Sequence, residues 1–300
     1  MASISKTPAV LSSEILIKSS GYSGWFILLE GDFDQRFWTS RVNGLHLKPI
    51  NCVGKVNLLG TLALLGSLNN TAQIVALADK DYDEVLKRLS SFSGLVYTDQ
   101  NDLEVTLLCR VSNGITATIE RILSESVDVS KLALFEKSLG VFISEHLRQV
   151  AAKYGVLRLI NEQLTSGVNF NDFPILHNQF FDHSNLQLDM EALQITFLNA
   201  VNKSEKVCLT ELELKTMVEQ HRANGQFSEL ALVQGHDLMQ LLAAAINSSG
   251  LRRSTGHKQA SEDSLARDLC LMIHRSDLQT TSMFQDLSKH AHLAGLTFFA

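Results

Sequence analysis

The apolar positions of this chain follow two periodicities. In roughly the first third, short unbroken runs alternate with spaced ones. Trp25-Phe26-Ile27-Leu28-Leu29 and Ile74-Val75-Ala76-Leu77-Ala78 are continuous and bounded by turn-forming residues, the pattern of strands buried on both faces of a parallel sheet. Leu45 to Cys52 and Leu95-Val96-Tyr97-Thr98 read as two more strands. Between them, Phe33 to Arg41 predicts a short helix, Leu58, Leu59, Leu62 and Leu65 a longer one, and Glu84 to Leu89 another short one. Such alternation predicts an α/β fold with right-handed crossovers and a parallel sheet. Glu14 to Lys18 reads as an added edge strand.

From about Thr116 the spacing is helical. Leu132, Phe135, Leu139, Phe142, Leu147 and Val150 share one face, and Tyr154, Leu157, Ile160 and Leu164 continue it past Gly155. Thr210-Glu211-Leu212-Glu213 predicts a capping box, and Leu238, Leu241, Leu242 and Ala245, then Leu265, Leu269, Met272 and Ile273, predict two further helices. Phe170 to Gln194, with Pro174 and several Asn residues, reads as a long connection. The expected organisation is a sheet domain over 1–115 and a mainly helical domain over 116–300, without internal repeats.

Composition narrows the class. The 300 residues are 45% hydrophobic and 19% charged, as in a globular protein, and no apolar stretch approaches the roughly 18 residues of a membrane span. With no signal-like amino terminus, a cytoplasmic location is expected. The net charge of −6 argues against a protein that coats nucleic acid through its overall field. Cys52, Cys109, Cys208 and Cys270 are dispersed without metal-ligand spacing and read as reduced, mostly buried thiols.

The chemistry concentrates behind the two apolar runs. The first leads into Glu30-Gly31-Asp32-Phe33-Asp34 and the second into Asp79-Lys80-Asp81-Tyr82-Asp83. Ligands of parallel sheets bind beyond the carboxyl ends of the strands. Carboxylates aimed at one crevice must shift their pKa values or hold a cation, and a hard divalent metal suits them. Glu30, Asp79 and Asp81 are therefore candidate ligands. Asp34 is either a ligand or a first-turn acid favoured by the helix dipole, and Asp83 reads as a solvated acid. Lys55, opening a helix, either meets a phosphate or is an exposed loop lysine. The basic segment Arg252-Arg253-Ser254-Thr255-Gly256-His257-Lys258 is either a solvated loop or a phosphate contact. His236 and Asp237 open a helix that either returns to the crevice or is simply capped there, and His290 and His292 read as surface or packing residues.

Glu30 with the D-x-D of Asp79 and Asp81 resembles the TOPRIM fold of primases, topoisomerases and OLD-family nucleases. Val53-Gly54-Lys55, Asp99-Gln100-Asn101-Asp102-Leu103-Glu104 and Gly235-His236-Asp237-Leu238 are similar to elements of one TOPRIM-like, OLD-related branch, that of AriB effector nucleases in PARIS anti-phage systems. The resemblance implies a TOPRIM-like Rossmannoid sheet with a mainly helical carboxy-terminal half. It also implies a Mg²⁺- or Mn²⁺-dependent nuclease acting on RNA, tRNA in particular, or on DNA. An ABC-type ATPase partner and a homodimer come with the same family.

Phosphodiester hydrolysis fits the residues themselves, because carboxylate-bound metal neutralises phosphoryl oxygens and activates water. Glu30, Asp79 and Asp81 would hold one metal, and Asp34, Asp102 or Glu104 would complete a second site. Asp102 and Glu104, two apart, cannot point the same way on a helix; Glu104 is favoured as functional and Asp102 as a cap. Two rivals remain. One is a non-catalytic partner-binding module. The other is a haloacid dehalogenase-type phosphatase with Asp79 as nucleophile, disfavoured by Asp83 at the usual Thr or Val position. The chain has no phosphate-binding loop of its own, so ATP-driven control would have to come from a partner.

Overall fold

Apolar alternation, capping residues and left-handed turns account for most element boundaries in the computed structural model, which describes residues 6–42, 44–68, 72–111, 114–223, 228–248, 250–253 and 259–290. In chain order the elements begin with α1 (Pro8–Ser19), β1 (Trp25–Leu29), α2 (Asp32–Thr39), β2 (Leu47–Asn51), α3 (Lys55–Ser67), β3 (Gln73–Ala78), β4 (Leu95–Tyr97) and α4 (Leu103–Leu108). There follow α5 (Ile115–Ser126), α6 (Val129–Leu139), α7 (Ile143–Leu164), β5 (Phe181–Asp182), β6 (Gln187–Leu188) and α8 (Met190–Lys203). The last are α9 (Glu211–Ala223), α10 (Gly235–Asn247), α11 (Glu262–Met272), α12 (Arg275–Gln279) and α13 (Ser282–His290). The protein is thus α/β, with a four-stranded parallel sheet and many helices.

The chain forms two compact units that are discontinuous in sequence. One comprises Met1–Lys80, Leu89–Leu103 and Ile273–Ala300, the other Asp81–Arg88 and Glu104–Met272. This differs from a single division near residue 115. The carboxy-terminal helix α13 packs against β3 and β4, so it belongs with the sheet although its spacing is that of the helical half.

In the first unit the strand order is β2-β1-β3-β4, with every neighbouring pair parallel. Leu29 lies opposite Asn51 on one side and Leu77 on the other. Alternate residues along β1, β2 with the residue that follows it, and β3, namely Phe26 and Leu28, Ile50 and Cys52, Ala76 and Ala78, share a core with Leu11 and Ile15 of α1 and Leu58, Leu62 and Leu65 of α3. Period two on the strands meets i, i+4 spacing on the helices. The segment Glu14 to Lys18 is therefore not an edge strand. Thr7 caps α1 by accepting from Val10 N–H, Pro8 occupies the first turn, and Leu11 and Ile15 bury one helical face. The run Ile15-Leu16-Ile17 looks strand-like only when that upstream cap is ignored.

In the second unit α7 packs against α5, α8, α9 and α10. Its apolar pattern does not run unbroken from Leu132, because Gly140 ends α6 at φ 74°, the left-handed cap glycine adopts most readily. Phe142, expected in the core, precedes α7 and is 61% exposed. The expected box at Thr210 is present, with Thr210 N–H donating to Glu213 at 2.8 Å and Glu213 N–H to Thr210 Oγ1 at 3.3 Å. The region from Phe170 holds a short antiparallel β5–β6 hairpin and then α8, capped by Asp189. Glu84 to Leu89 is a turn rather than a helix. Asp81 at φ 47° before it and Lys87 at φ 56° within it interrupt right-handed geometry.

Among the described residues no helix is long and apolar enough to cross a membrane.

Candidate active site at the strand ends

The chain runs from β1 to β2 on one side and then to β3 on the other. The switch point of the sheet therefore lies between β1 and β3, where open α/β sheets bind ligands beyond the strand ends. Glu30 directly follows β1 and Asp79 directly follows β3. The Asp79 N–H donates to Glu30 Oε1 at 2.8 Å. The backbone carbonyl of Glu30 accepts from Gly54 N–H at 2.8 Å. Lys55, first residue of α3, donates from Nζ to the Asp79 carbonyl at 2.6 Å and lies 3.4 Å from the Lys80 carbonyl. The structure thus brings Glu30, Asp79 and Lys55 together within the first unit. Lys55 is not an idle loop lysine, since it ties the start of α3 to the end of β3.

The other expected residues divide between structural roles and the second unit. Asp34 is buried and its Oδ2 accepts from Gly31 N–H at 3.0 Å, which caps the first turn of α2. Asp79 also has a capping contact, its Oδ1 accepting from Leu103 N–H at 3.1 Å. Asp81 and Glu104 follow Lys80 and Leu103 directly in the chain but belong to the second unit. Asp83 pairs with Arg88 at 3.3 Å inside the turn that follows Asp81. Asp102 is buried immediately before α4.

Two contributors, Asn51 and Thr98, were not singled out by sequence. Asn51, at the end of β2, donates from Nδ2 to Asp32 Oδ1 at 2.6 Å and accepts from Val53 N–H on Oδ1 at 2.7 Å. The Asn-x-Val-Gly pattern is a signal for an Asx turn, in which an Asn side chain binds the backbone two residues on. Thr98 Oγ1 accepts from Lys80 N–H at 3.2 Å, and Lys80 Nζ donates to the Asp99 carbonyl at 3.3 Å. Asp99 is a helix cap for α13, accepting from Ser282 N–H at 3.1 Å and Met283 N–H at 2.7 Å.

The resemblance calls for a divalent metal, and the donor chemistry of Glu30 and Asp79 suits one. Both offer hard carboxylate oxygens, and Mg²⁺ commonly binds through one or two carboxylates while water and substrate phosphate complete its shell. Among the described residues, however, no group of three or more His, Cys, Asp or Glu side chains is arranged to hold a metal ion.

Residues farther along have their own partners within the second unit. Asp237 forms a two-pronged ion pair with Arg158, both contacts 3.0 Å. Burial pushes its carboxyl upward, against the lowering influence of Arg158. The Arg158 guanidinium also lies over the rings of Tyr154 and Phe170, 5.1 and 4.7 Å from their centroids. His236 Nδ1 meets Glu262 Oε1 at 2.5 Å, a hydrogen bond that raises the histidine above its ordinary value. Arg253 donates to the carbonyls of Val127 at 2.9 Å and Ser124 at 3.0 Å, so its guanidinium holds the end of α5. Ser254 to Lys258, and His292, lie outside the described residues. Of the four cysteines, Cys52 is buried while Cys109 and Cys270 are half-buried, and burial pushes the Cys52 thiol up to about 12. Cys208 is exposed, contrary to the expectation of mostly buried thiols.

No protein-family model matches the chain, and no curated protein matches it significantly.

Proposed function

We propose that this chain is a Mg²⁺- or Mn²⁺-dependent nuclease of TOPRIM type that hydrolyses phosphodiester bonds in RNA, tRNA included, or in DNA. The observation that carries this reading is the meeting of Glu30 and Asp79, linked at 2.8 Å, beyond the two strands that flank the switch point. Glu30 and Asp79 are the residues of the first unit that would hold the metal. When bound, the ion would neutralise charge at the phosphoryl oxygens and make a water acidic enough to attack near neutral pH. Lys55 fixes the Asp79–Lys80 backbone through its two carbonyl contacts and contributes positive charge beside the strand ends. An anti-phage role, an ABC-type ATPase partner and a homodimer rest on the motif resemblance.

One observation favours a second reading. Glu30, Asp34, Asp79 and Asp99 all accept backbone N–H groups. In a non-catalytic module, such acids would serve only to lock strand ends to helix starts.

The test is cleavage by purified protein of tRNA, single-stranded RNA and plasmid DNA with Mg²⁺, with Mn²⁺ and with chelator. The nuclease reading expects metal-dependent cleavage of at least one substrate, abolished by chelator. No cleavage of any substrate, by the protein alone or with a co-purifying ATPase, contradicts it.

A further inference from the structure

We infer that Asn51 is a positioning residue for the Glu30 carboxylate. The inference rests on the proposed metal-dependent reading of that site and adds a residue that its motifs do not contain. As β2 leaves the sheet, Cys52 N–H still pairs with the Leu29 carbonyl at 2.8 Å. The next rung is skipped. Val53 turns outward at φ 58°, a strained value for a β-branched residue, and Gly54 at φ 109° brings its N–H back to the Glu30 carbonyl at 2.8 Å. The N–H that this detour leaves behind, that of Val53, is taken by Asn51 Oδ1 at 2.7 Å. The other end of the same amide, Nδ2, holds Asp32 Oδ1 at 2.6 Å, two residues beyond Glu30.

One buried side chain, 7% exposed, therefore clamps both turns that flank Glu30: the Gly31-Asp32 turn after β1 and the Val53-Gly54 turn after β2. The clamp also sets where α3 begins, and with it Lys55. An amide suits the position, because it donates to a carboxylate from one end and accepts from a backbone N–H at the other. Alanine loses both contacts, and aspartate retains the acceptor while facing Asp32 with like charge. Exchanging the pair, Asp32→Asn with Asn51→Asp, allows the bond between them to form with its polarity reversed.

The experiment measures Mn²⁺ binding by electron paramagnetic resonance, together with hydrogen exchange of the amides from Asn51 to Lys55. The variants are wild type, Asn51→Ala, Asn51→Asp, the Asp32→Asn/Asn51→Asp exchange and Glu30→Ala. Asn51→Ala should weaken Mn²⁺ binding about ten-fold or more, as expected for loss of a group that orients a ligand, and should speed exchange at Gly54. Asn51→Asp should behave similarly, and the exchanged pair should recover most of both losses. Wild-type Mn²⁺ affinity and unchanged Gly54 exchange in folded Asn51→Ala overturn the positioning role, even when Glu30→Ala abolishes binding. Failure of the exchanged pair to recover either quantity also overturns the clamp. Wild-type binding by Glu30→Ala removes the site reading itself, and the inference with it.

Discussion

Glu30 and Asp79, 49 residues apart, are joined by a hydrogen bond from the Asp79 N–H to Glu30 Oε1 at 2.8 Å. The bond crosses from the end of β1 to the end of β3, adjacent parallel strands on which Leu29 faces Leu77. Its consequence is a defined direction for the Glu30 side chain, since one oxygen is fixed against the neighbouring strand. A carboxylate held this way is prepaid in side-chain ordering, which favours a ligand role if a cation arrives.

The helical unit offers a test of its close packing. A β-carbon at Gly155, within α7, would sit 1.8 Å from the Leu232 carbonyl oxygen and 3.3 Å from Tyr82 Oη. The first contact is with backbone and cannot be relieved by a rotamer change. Gly155→Ala is expected to destabilise by about 2 kcal/mol or more, although alanine has the higher helix propensity. Urea denaturation checks this, and an unchanged or raised midpoint would show that the Leu232 turn yields freely.

The Arg158–Asp237 pair gives a second test. Asp237 is 1% exposed and meets Arg158 through two contacts of 3.0 Å. Removing one partner leaves the other charge buried, so Asp237→Ala should cost about 3–5 kcal/mol. The double replacement Arg158→Met/Asp237→Leu should recover a large part of that loss. Equal destabilisation by the single and double variants, measured by chemical denaturation, would argue that packing of Arg158 on Tyr154 and Phe170 matters more than charge.

His236 supplies a pH dependence. Its hydrogen bond to Glu262 raises its value on folding, opposed by burial. A group raised on folding stabilises fully below its unfolded value, near 6.5, and loses that contribution as pH rises through the raised folded value. The melting temperature of wild type should therefore exceed that of His236→Gln most at acid pH, with the gap narrowing as the solution becomes alkaline. A gap that widens with pH contradicts the assignment.

How much of this was legible in the sequence depends on the range of the interaction. The unbroken runs at Trp25 and Ile74 specify buried parallel strands because both faces are covered, and the acids behind them are visible for the same reason. The helix over Glu14 to Lys18 was obscured because its determinants, Thr7 and Pro8, precede the apolar segment. The turn at Glu84 to Leu89 depends on left-handed Asp81 and Lys87, residue types that also occur in ordinary helices. Nor does sequence reveal that Asp99 caps a helix beginning at Ser282, or that Asn51 reaches Asp32. Such pairings follow from which strand ends become neighbours. The roles of Asp34 and Asp79 show the same limit, since an acid after a strand can bind metal, cap a helix or do both.

The most direct measurement compares wild type with Glu30→Gln for Mn²⁺ binding and for metal-dependent cleavage of the substrate that wild type cuts. Glutamine keeps an oxygen to accept the Asp79 N–H, so the strand-end geometry and thermal stability should persist while the ligand charge is lost. The expected result is a folded variant with greatly weakened Mn²⁺ binding and cleavage reduced about a hundred-fold or more. Wild-type Mn²⁺ affinity and wild-type cleavage in Glu30→Gln would contradict it, and would leave the Glu30–Asp79 bond a structural tie between two strands.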